Sequence, residues 1–318
     1  MAIAVKIDEY IELMGVVAYL SGEISYNSAL NKDIDKYFAL YKKHKAVKKI
    51  KQLLQKGLDV KALISFAVLL EYKKGSFVLR KKQSYLEKSD EFLASLADFY
   101  KVSSFHKFFK QQSAFYKQKV AEYEDEFKSL NIEWLKMFFG DFEQDDFTVS
   151  ISPILNQMVI SSKNEIVVAE CTGEMLAIIR AFCHIFINPL LYNSDKRQEI
   201  LQPCAGKMLE LSKWAMQKQG FDDWRVLINE YIVRAVVNVY MQENKFTKQA
   251  IRDDIMDNVG RGFYLMPELV GYLNKYRYCR DKFKTFGEFY FELAKFFTSH
   301  IEKEIKRVDD VVSVILEV

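Results

Sequence analysis

The chain has 318 residues, half of them hydrophobic, and its 46 Lys and Arg against 43 Asp and Glu give a formal net charge of +3. A chain of this length can bury a large core, and so balanced a charge excludes the strongly basic surface of a nucleic-acid-binding protein; we expect a globular protein without a nucleic-acid partner. Four prolines and twelve glycines beside 25 Phe and 18 Tyr favour a mostly helical fold, because few residues break helices.

The N-terminal stretch MAIAVKIDEYIELMGVVAYLSG predicts an amphipathic helix. Lys6, Asp8, Glu9 and Glu12 interrupt its apolar residues, so it lacks the continuous apolar region of a secretory signal. No uncharged run in the sequence approaches the roughly 18 to 20 residues that cross a bilayer. We therefore expect no membrane span, and a cytoplasmic protein unless a signal was removed.

Helical patterns follow one another through the first 140 residues. In DIDKYFALYKKH, Ile34, Phe38 and Tyr41 recur at steps of three and four, which predicts one buried stripe with lysines on the opposite face. The lysine-rich stretch KKHKAVKKIKQLLQ is interpreted as a solvated helix face, because it lacks interleaved stacking aromatics. The predicted helices are about 5–20, 31–44, 46–56, 59–72, 90–101 and 103–130.

Between Phe147 and Cys171 the pattern changes to two or three predicted strands. β-branched residues dominate there, and polar residues alternate in FTVSIS as in a half-exposed strand. The segment EIVVAEC then leads directly into an apolar helical pattern, MLAIIRAFCHIF. After Pro189 the predicted helices are about 195–219, 222–243, 247–258, 266–276 and 286–306. The terminal VVSVILEV predicts a short strand.

These patterns predict an α+β, mostly helical fold with a small central sheet. The sequence shows no internal repeat, no low-complexity linker and no clear break in composition. We therefore expect one domain over residues 1–318. A helical N-terminal subdomain over 1–140, with a motif-bearing part over 141–318, is the alternative arrangement.

The stretch RAFCH, within the predicted central apolar helix, is similar to a zinc-peptidase motif. It lacks two of the four functional groups of such a site. Such enzymes use HExxH, because residues four apart share a helix face and two imidazoles can bind one ion, while the Glu acts as general base. Here Arg180 and Ala181 stand in place of the first histidine and the Glu, and His184 stands at the second histidine. Glu230 follows 46 residues after His184 in an apolar helical pattern. A single histidine in such a helix is more often a hydrogen-bonded core residue than a ligand.

The chain resembles a family of uncharacterised bacterial proteins that look like gluzincin metallopeptidases and carry HEFSH, a short apolar stretch and Asn-Pro. The matching text is RAFCHIFINPLL, and similar blocks run from about residue 10 to 297. They are YFALYKKHKAVKKIKQLLQKGLDVKALISFAVLL, TVSISPILNQ, INEYIVRAVVNVY and GFYLMPELVGYLNKYRYCRDKFKTFGEFYFELAKFF. The resemblance implies a zincin-like metallopeptidase fold, with His184 at the second histidine ligand and Glu230 at the glutamate ligand.

The departures from that family concern its chemistry. Arg180 has no lone pair to donate to a metal, and Ala181 cannot accept a proton from water. We therefore expect no catalytic residue, no cofactor, and no metal at the residual ligand positions His184 and Glu230. A buried carboxylate without zinc needs another positive charge. We predict a salt bridge from Arg180 to Glu230, the alternative being an Arg180 that points to solvent.

Three hypotheses for function follow. The first is a non-catalytic metallopeptidase homologue whose cleft binds a peptide or protein, with the strand before the motif helix pairing with an extended chain. The second is an active metal-dependent hydrolase with a non-standard zinc site around His184 and Glu230. The third is a helical interaction protein unrelated to peptidases. No nucleotide-binding loop or serine-hydrolase elbow is present in the sequence.

Overall fold

The four-stranded sheet of the protein combines strands from the N-terminus and from the middle of the chain.

The computed structural model describes residues 2–25, 28–80, 89–140, 146–155, 158–162, 165–169 and 175–316. Its described part contains fifteen α-helices, a short 3-10 helix and six strands, which confirms the predicted α+β, mostly helical class.

Two compact units divide the chain. Unit 1 is Met1–Leu130 with Asp146–Ile178, and unit 2 is Asn131–Asp145 with Ile179–Val318. The expectation of a single domain over 1–318, like its alternative with a boundary after residue 140, stays a prediction.

Unit 1 contains the six described strands and seven described α-helices. The strands are β1 Ala2–Lys6, β2 Leu70–Lys73, β3 Ser76–Leu79, β4 Asp146–Ser152, β5 Met158–Ser162 and β6 Glu165–Ala169. The helices are α1 Glu9–Leu20, α2 Asn31–Tyr37, α3 Lys45–Gln55, α4 Val60–Ala67, α5 Ser89–Val102, α6 Phe105–Gln111 and α7 Ser113–Lys128.

The larger sheet has the strand order β1-β4-β6-β5. β1, β4 and β6 are parallel, and β5 is antiparallel to β6. In its centre, Val149 is paired with Val5 on one side and Ile166 on the other. The strands predicted between Phe147 and Cys171 are thus confirmed, with Cys171 itself outside the described residues. The prediction of a half-exposed strand is wrong, because Ser150 and Ser152 of β4 are buried. The predicted helix start at residue 5 is wrong, because pairing with β4 makes this apolar run a strand.

Helix α1 is buried on nearly all sides, so the predicted amphipathic helix is wrong. It begins after Asp8, whose side chain accepts from the backbone N–H of Tyr10. Every residue from Ile11 to Ala18 is buried, including Glu12, which is fully inaccessible. The Glu12 carboxyl accepts hydrogen bonds from the Ser152 hydroxyl and, at 3.1 Å, from the Tyr116 hydroxyl. Burial raises the pKa of Glu12 to about 8, against the opposing effect of these two hydrogen bonds.

Two further predictions are wrong. The helix predicted over 59–72 ends at Ala67, and the hairpin of β2 and β3 follows. Lys74 and Gly75 both have positive φ in its turn, at 50° and 84°, as a two-residue turn between twisted strands requires. The second error is the terminal strand, since the last helix of the chain continues to Leu316.

Unit 2 is helical throughout its described residues. Its helices are α8 Ile132–Phe139, α9 Met175–Tyr192, α10 Asp195–Leu211, α11 Lys213–Gln217, α12 Trp224–Glu243, α13 Lys248–Gly260, α14 Met266–Tyr278 and α15 Phe286–Leu316, with the first residues of α9 belonging to unit 1. Helix α12 is buried without interruption from Leu227 to Met241, against α10, α13 and α14. Its polar residues therefore need partners inside the protein.

Helix α9 is, among the described helices, the one long and apolar enough to cross a membrane by length and composition. Its 18 residues have a mean hydropathy of 1.6, and half of them are buried inside the protein. A single helix of this kind is weak evidence for a span, since core helices of globular proteins share its length and composition.

Candidate functional site

The two predicted ligand positions meet in unit 2. Nε2 of His184, on α9, lies 3.3 Å from Oε2 of Glu230, on α12. Glu230 is 8% exposed, and the side chain of His184 is 25% exposed. Two residues 46 positions apart are thus brought into direct contact by two neighbouring helices.

Arg234 supplies the positive charge next to Glu230. It lies one turn further along α12, and its Nε donates to Oε1 of Glu230 at 2.6 Å. Its Nη1 donates to Oδ1 of Asn258 on α13 at 2.6 Å, and its guanidinium lies 4.4 Å from the centre of the Phe263 ring. Arg234 is 9% exposed. The buried carboxylate and the buried guanidinium therefore compensate each other within one helix.

The balance of burial and charge keeps Glu230 ionised. Burial is the largest influence and by itself would raise the pKa of Glu230. The hydrogen bond from His184 and the charges of Arg234, His184 and Arg180 together outweigh it and lower that pKa to about 2. The carboxylate is accordingly not available as a general base at neutral pH.

Arg180 does not form the predicted salt bridge. In the described part of the chain, the ion pairs of Glu230 are those with His184 and Arg234. Arg180 is half-buried, and its charge acts on Glu230 from beyond ion-pair distance. The prediction is wrong because Arg234, four residues from Glu230 on the same helix, forms the ion pair with the carboxylate instead.

A chain of polar side chains extends from the ion pair into the interior of unit 2. Asn258 donates through Nδ2 to Oδ2 of Asp254 at 2.8 Å, and Asn238 donates to the same oxygen at 2.8 Å. Asn238 and Asn258 are almost fully buried. A connected network of this kind fixes the orientation of Arg234 and limits the cost of burying its charge.

His184 is held from its other side by α9 itself. Its Nδ1 lies 3.4 Å from Oδ1 of Asn188, one turn along the helix, and Asn229 donates to that same oxygen at 3.4 Å. Both ring nitrogens of His184 thus face oxygen atoms of the protein, so neither nitrogen points to an open position.

The residues present do not fit the zinc ion that the resemblance implies. A catalytic zinc needs three protein ligands and an open position. The described residues include no group of three or more His, Cys, Asp or Glu side chains suited to a metal, and both Glu230 oxygens are already in contact with side chains of the protein. Ala181 is buried and brings no functional group. Cys183 is fully buried, and burial raises the pKa of its thiol, so it does not replace a ligand or nucleophile.

Sequence reasoning missed Arg234, Asn238, Asp254 and Asn258. A signal for Arg234 was present, because it follows Glu230 at the helical spacing of four that joins ion pairs. Asn258 and Asp254 lie on another helix, and no spacing in the sequence indicates their contact with α12.

Fold and site together define a mostly helical α+β protein with a buried Glu–Arg–His cluster between two core helices. A family described as Domain of unknown function (DUF4932) matches residues 133–296, just over half of the chain and including the whole cluster. The chain belongs to this family. No curated protein and no solved structure matches it.

Proposed function

We propose that this protein is a non-catalytic homologue of zinc metallopeptidases that binds a peptide or protein. The observation that carries the proposal is the contact of His184 with Glu230, which brings two ligand-type residues together beside an arginine instead of a metal ion. The proposal interprets this cluster as a metal site whose ion has been replaced by an internal positive charge.

The chemistry of the cluster argues for binding without hydrolysis. Peptide hydrolysis at such a site needs a metal-activated water and a base to accept its proton. Ala181 provides no base, and the Glu230 carboxylate is already engaged by Arg234 and His184. Neither requirement is met by the residues of the cluster.

Strand β5 supports peptide binding by unit 1. The strand before α9 is β6, which lies between β4 and β5, so the predicted pairing of that strand with an extended chain is wrong. In the described sheet, β5 has β6 as its one neighbour and is an edge strand. Its residues Val159, Ile160 and Ser161 are only half-buried. An open edge of this kind accepts an extended peptide through backbone hydrogen bonds.

A metal-dependent hydrolase is the second candidate. The same 3.3 Å contact favours it, since two ligands of one ion must converge to about this separation. It requires further ligands from residues that the cluster does not contain, and displacement of the Arg234 contact.

The experiment that separates the two uses one pool of internally quenched peptides. Binding is measured by fluorescence anisotropy and cleavage by fluorescence increase, with and without added zinc. The proposal predicts saturable binding without cleavage in both conditions. Zinc-dependent cleavage that His184→Ala abolishes would establish the hydrolase, and absence of binding would refute the proposed function.

A further inference from the structure

Helix α9 exposes one polar stripe. Arg180, His184, Asn188 and Tyr192 follow one another at steps of four, so they lie along one face of the helix. All four are half-buried or exposed, whereas most of the residues between them are buried. At about 1.5 Å per residue the stripe is roughly 18 Å long. It is the accessible edge of an otherwise apolar core helix.

The stripe has a surplus of positive charge at its Arg180 end. Two arginines, Arg180 and Arg234, lie near a single carboxylate, Glu230, whose oxygens are in contact with His184 and Arg234. Arg180 is close enough for its charge to act on both Glu230 and Arg234. The nearby Asp254 accepts instead from the Asn238 and Asn258 amides. The Arg180 guanidinium therefore has no anionic partner within the described cluster.

Two buried polar atoms at the stripe lack hydrogen-bond partners in the described structure. One is Nε of Arg180, a donor. The other is Oδ1 of Asn229, an acceptor on a side chain whose residue is 2% exposed and which contacts Asn188 of the stripe. Buried polar atoms normally have partners, so each of these is suited to a group supplied by a ligand.

We infer that Arg180 binds a carboxylate of a peptide that lies extended along the α9 stripe, with a peptide N–H directed to Asn229. The guanidinium fork matches a carboxylate in two parallel hydrogen bonds, which an ammonium cannot do. The stripe accommodates about five extended residues at roughly 3.3 Å each. The carboxylate is that of the peptide C-terminus or of an Asp or Glu side chain. This inference rests on the proposed function and identifies the ligand chemistry of the His184–Glu230 region, independently of the β5 edge.

Three pentapeptide pools, labelled with a dye that carries no carboxylate, test the inference by anisotropy. The first pool lacks Asp and Glu and has free C-termini, the second is the same pool amidated, and the third is amidated with one Glu per peptide. The wild-type protein is expected to bind the first or third pool about tenfold more tightly than the second, as a charge-assisted hydrogen bond predicts. Which of the two pools binds identifies the source of the carboxylate.

Arg180→Gln is expected to remove this preference and Arg180→Lys to keep only part of it. Arg252→Gln, at an exposed arginine of α13, is the matched control and is expected to keep the full preference. Circular dichroism melts confirm that each variant is folded. Equal binding of all pools, an unchanged preference in Arg180→Gln, or a loss in Arg252→Gln would overturn the inference.

Acetate separates failure of the inference from failure of the proposed function. Titration with acetate is expected to shift the Nε–H resonance of Arg180 in wild-type protein. A protein that binds no peptide pool but shows this shift has the carboxylate site and not the proposed function. A protein that shows neither response refutes both.

Discussion

Nε of Arg234 donates to Oε1 of Glu230 at 2.6 Å, from one turn along the same buried helix. The helix therefore carries its own counter-ion for a carboxylate that has almost no contact with solvent. His184 adds a second contact from α9 at 3.3 Å. This internal ion pair is the central feature of unit 2.

Arg234→Met should destabilise unit 2 by about 3–5 kcal/mol, because it leaves a buried carboxylate without its main cation. Adding Glu230→Gln should recover a large part of that loss, since no unpaired charge remains. Free energies of unfolding from urea denaturation of the wild type, both single variants and the double variant measure the coupling. Additive effects of the two substitutions would contradict the ion pair.

Asp257 and Arg261 provide a matched control for that cycle. They form an ion pair with the same spacing of four residues, at 2.8 Å, but their side chains are more than half exposed. Arg261→Met should cost at most about 1 kcal/mol, because solvent screens exposed pairs. The difference between the two arginines therefore measures the effect of burial.

Glu12 should make unit 1 less stable as the pH rises from about 4.5 to about 8. The folded carboxyl keeps its proton up to its raised pKa of about 8, whereas the unfolded chain releases it near 4.5. The unfolded state thus binds fewer protons in this window, and stability falls by up to about 1.4 kcal/mol per pH unit. Glu12→Gln should remove this dependence. Thermal melts of both proteins between pH 5 and 9 test it, and parallel curves would contradict it.

Gly140→Ala should be strongly destabilising. Gly140 ends α8 with φ 83° and ψ −151°, and an added Cβ would lie 2.8 Å from the backbone of Lys284 and Thr285. Backbone strain costs about 1–3 kcal/mol, and displacement of the neighbouring backbone adds about 1–3 kcal/mol. Gly220→Ala, with φ 79° and open space around the Cβ, should carry the strain cost alone. Equal losses in urea denaturation would refute the packing argument.

Arg180→His should restore a third ligand position but bind zinc weakly while Arg234 holds Glu230. Arg180→His with Arg234→Met should bind zinc about tenfold more tightly than Arg180→His alone, because groups around a ligand tune it by this amount or more. Arg180→Gln with Arg234→Met is the control without a new ligand. Isothermal titration with zinc measures all three. Equal affinities would show that α9 and α12 do not keep the geometry of a metal site.

The helical content and several elements followed from periodicity in the sequence. The helices predicted near 90–101, 222–243 and 266–276 correspond to α5, α12 and α14. The contact between His184 and Glu230 followed from the spacing that the resemblance implied, not from periodicity. Long apolar patterns with helical spacing predict helices well, because the packing of the apolar face and the helix propensity of the residues favour the same structure.

Tertiary contacts decided the elements that sequence reasoning missed. The run Ala2–Lys6 becomes a strand because β4 pairs with it, over 140 residues away. Glu12 interrupts an apolar pattern, which predicted a polar helix face, but α1 is buried on nearly all sides. The partner of Glu230 differs from these cases, because its spacing is visible in the sequence. Arg234 follows Glu230 by four residues, the spacing of helical ion pairs, whereas Arg180 lies on another helix.

The zinc content of the purified protein tests the central claim most directly. Elemental analysis is made on protein prepared without chelators and dialysed against zinc, together with His184→Ala. An internal arginine in place of the metal predicts zinc far below one ion per chain, and no change in His184→Ala. One zinc per chain in the wild type, lost in His184→Ala, would contradict the account.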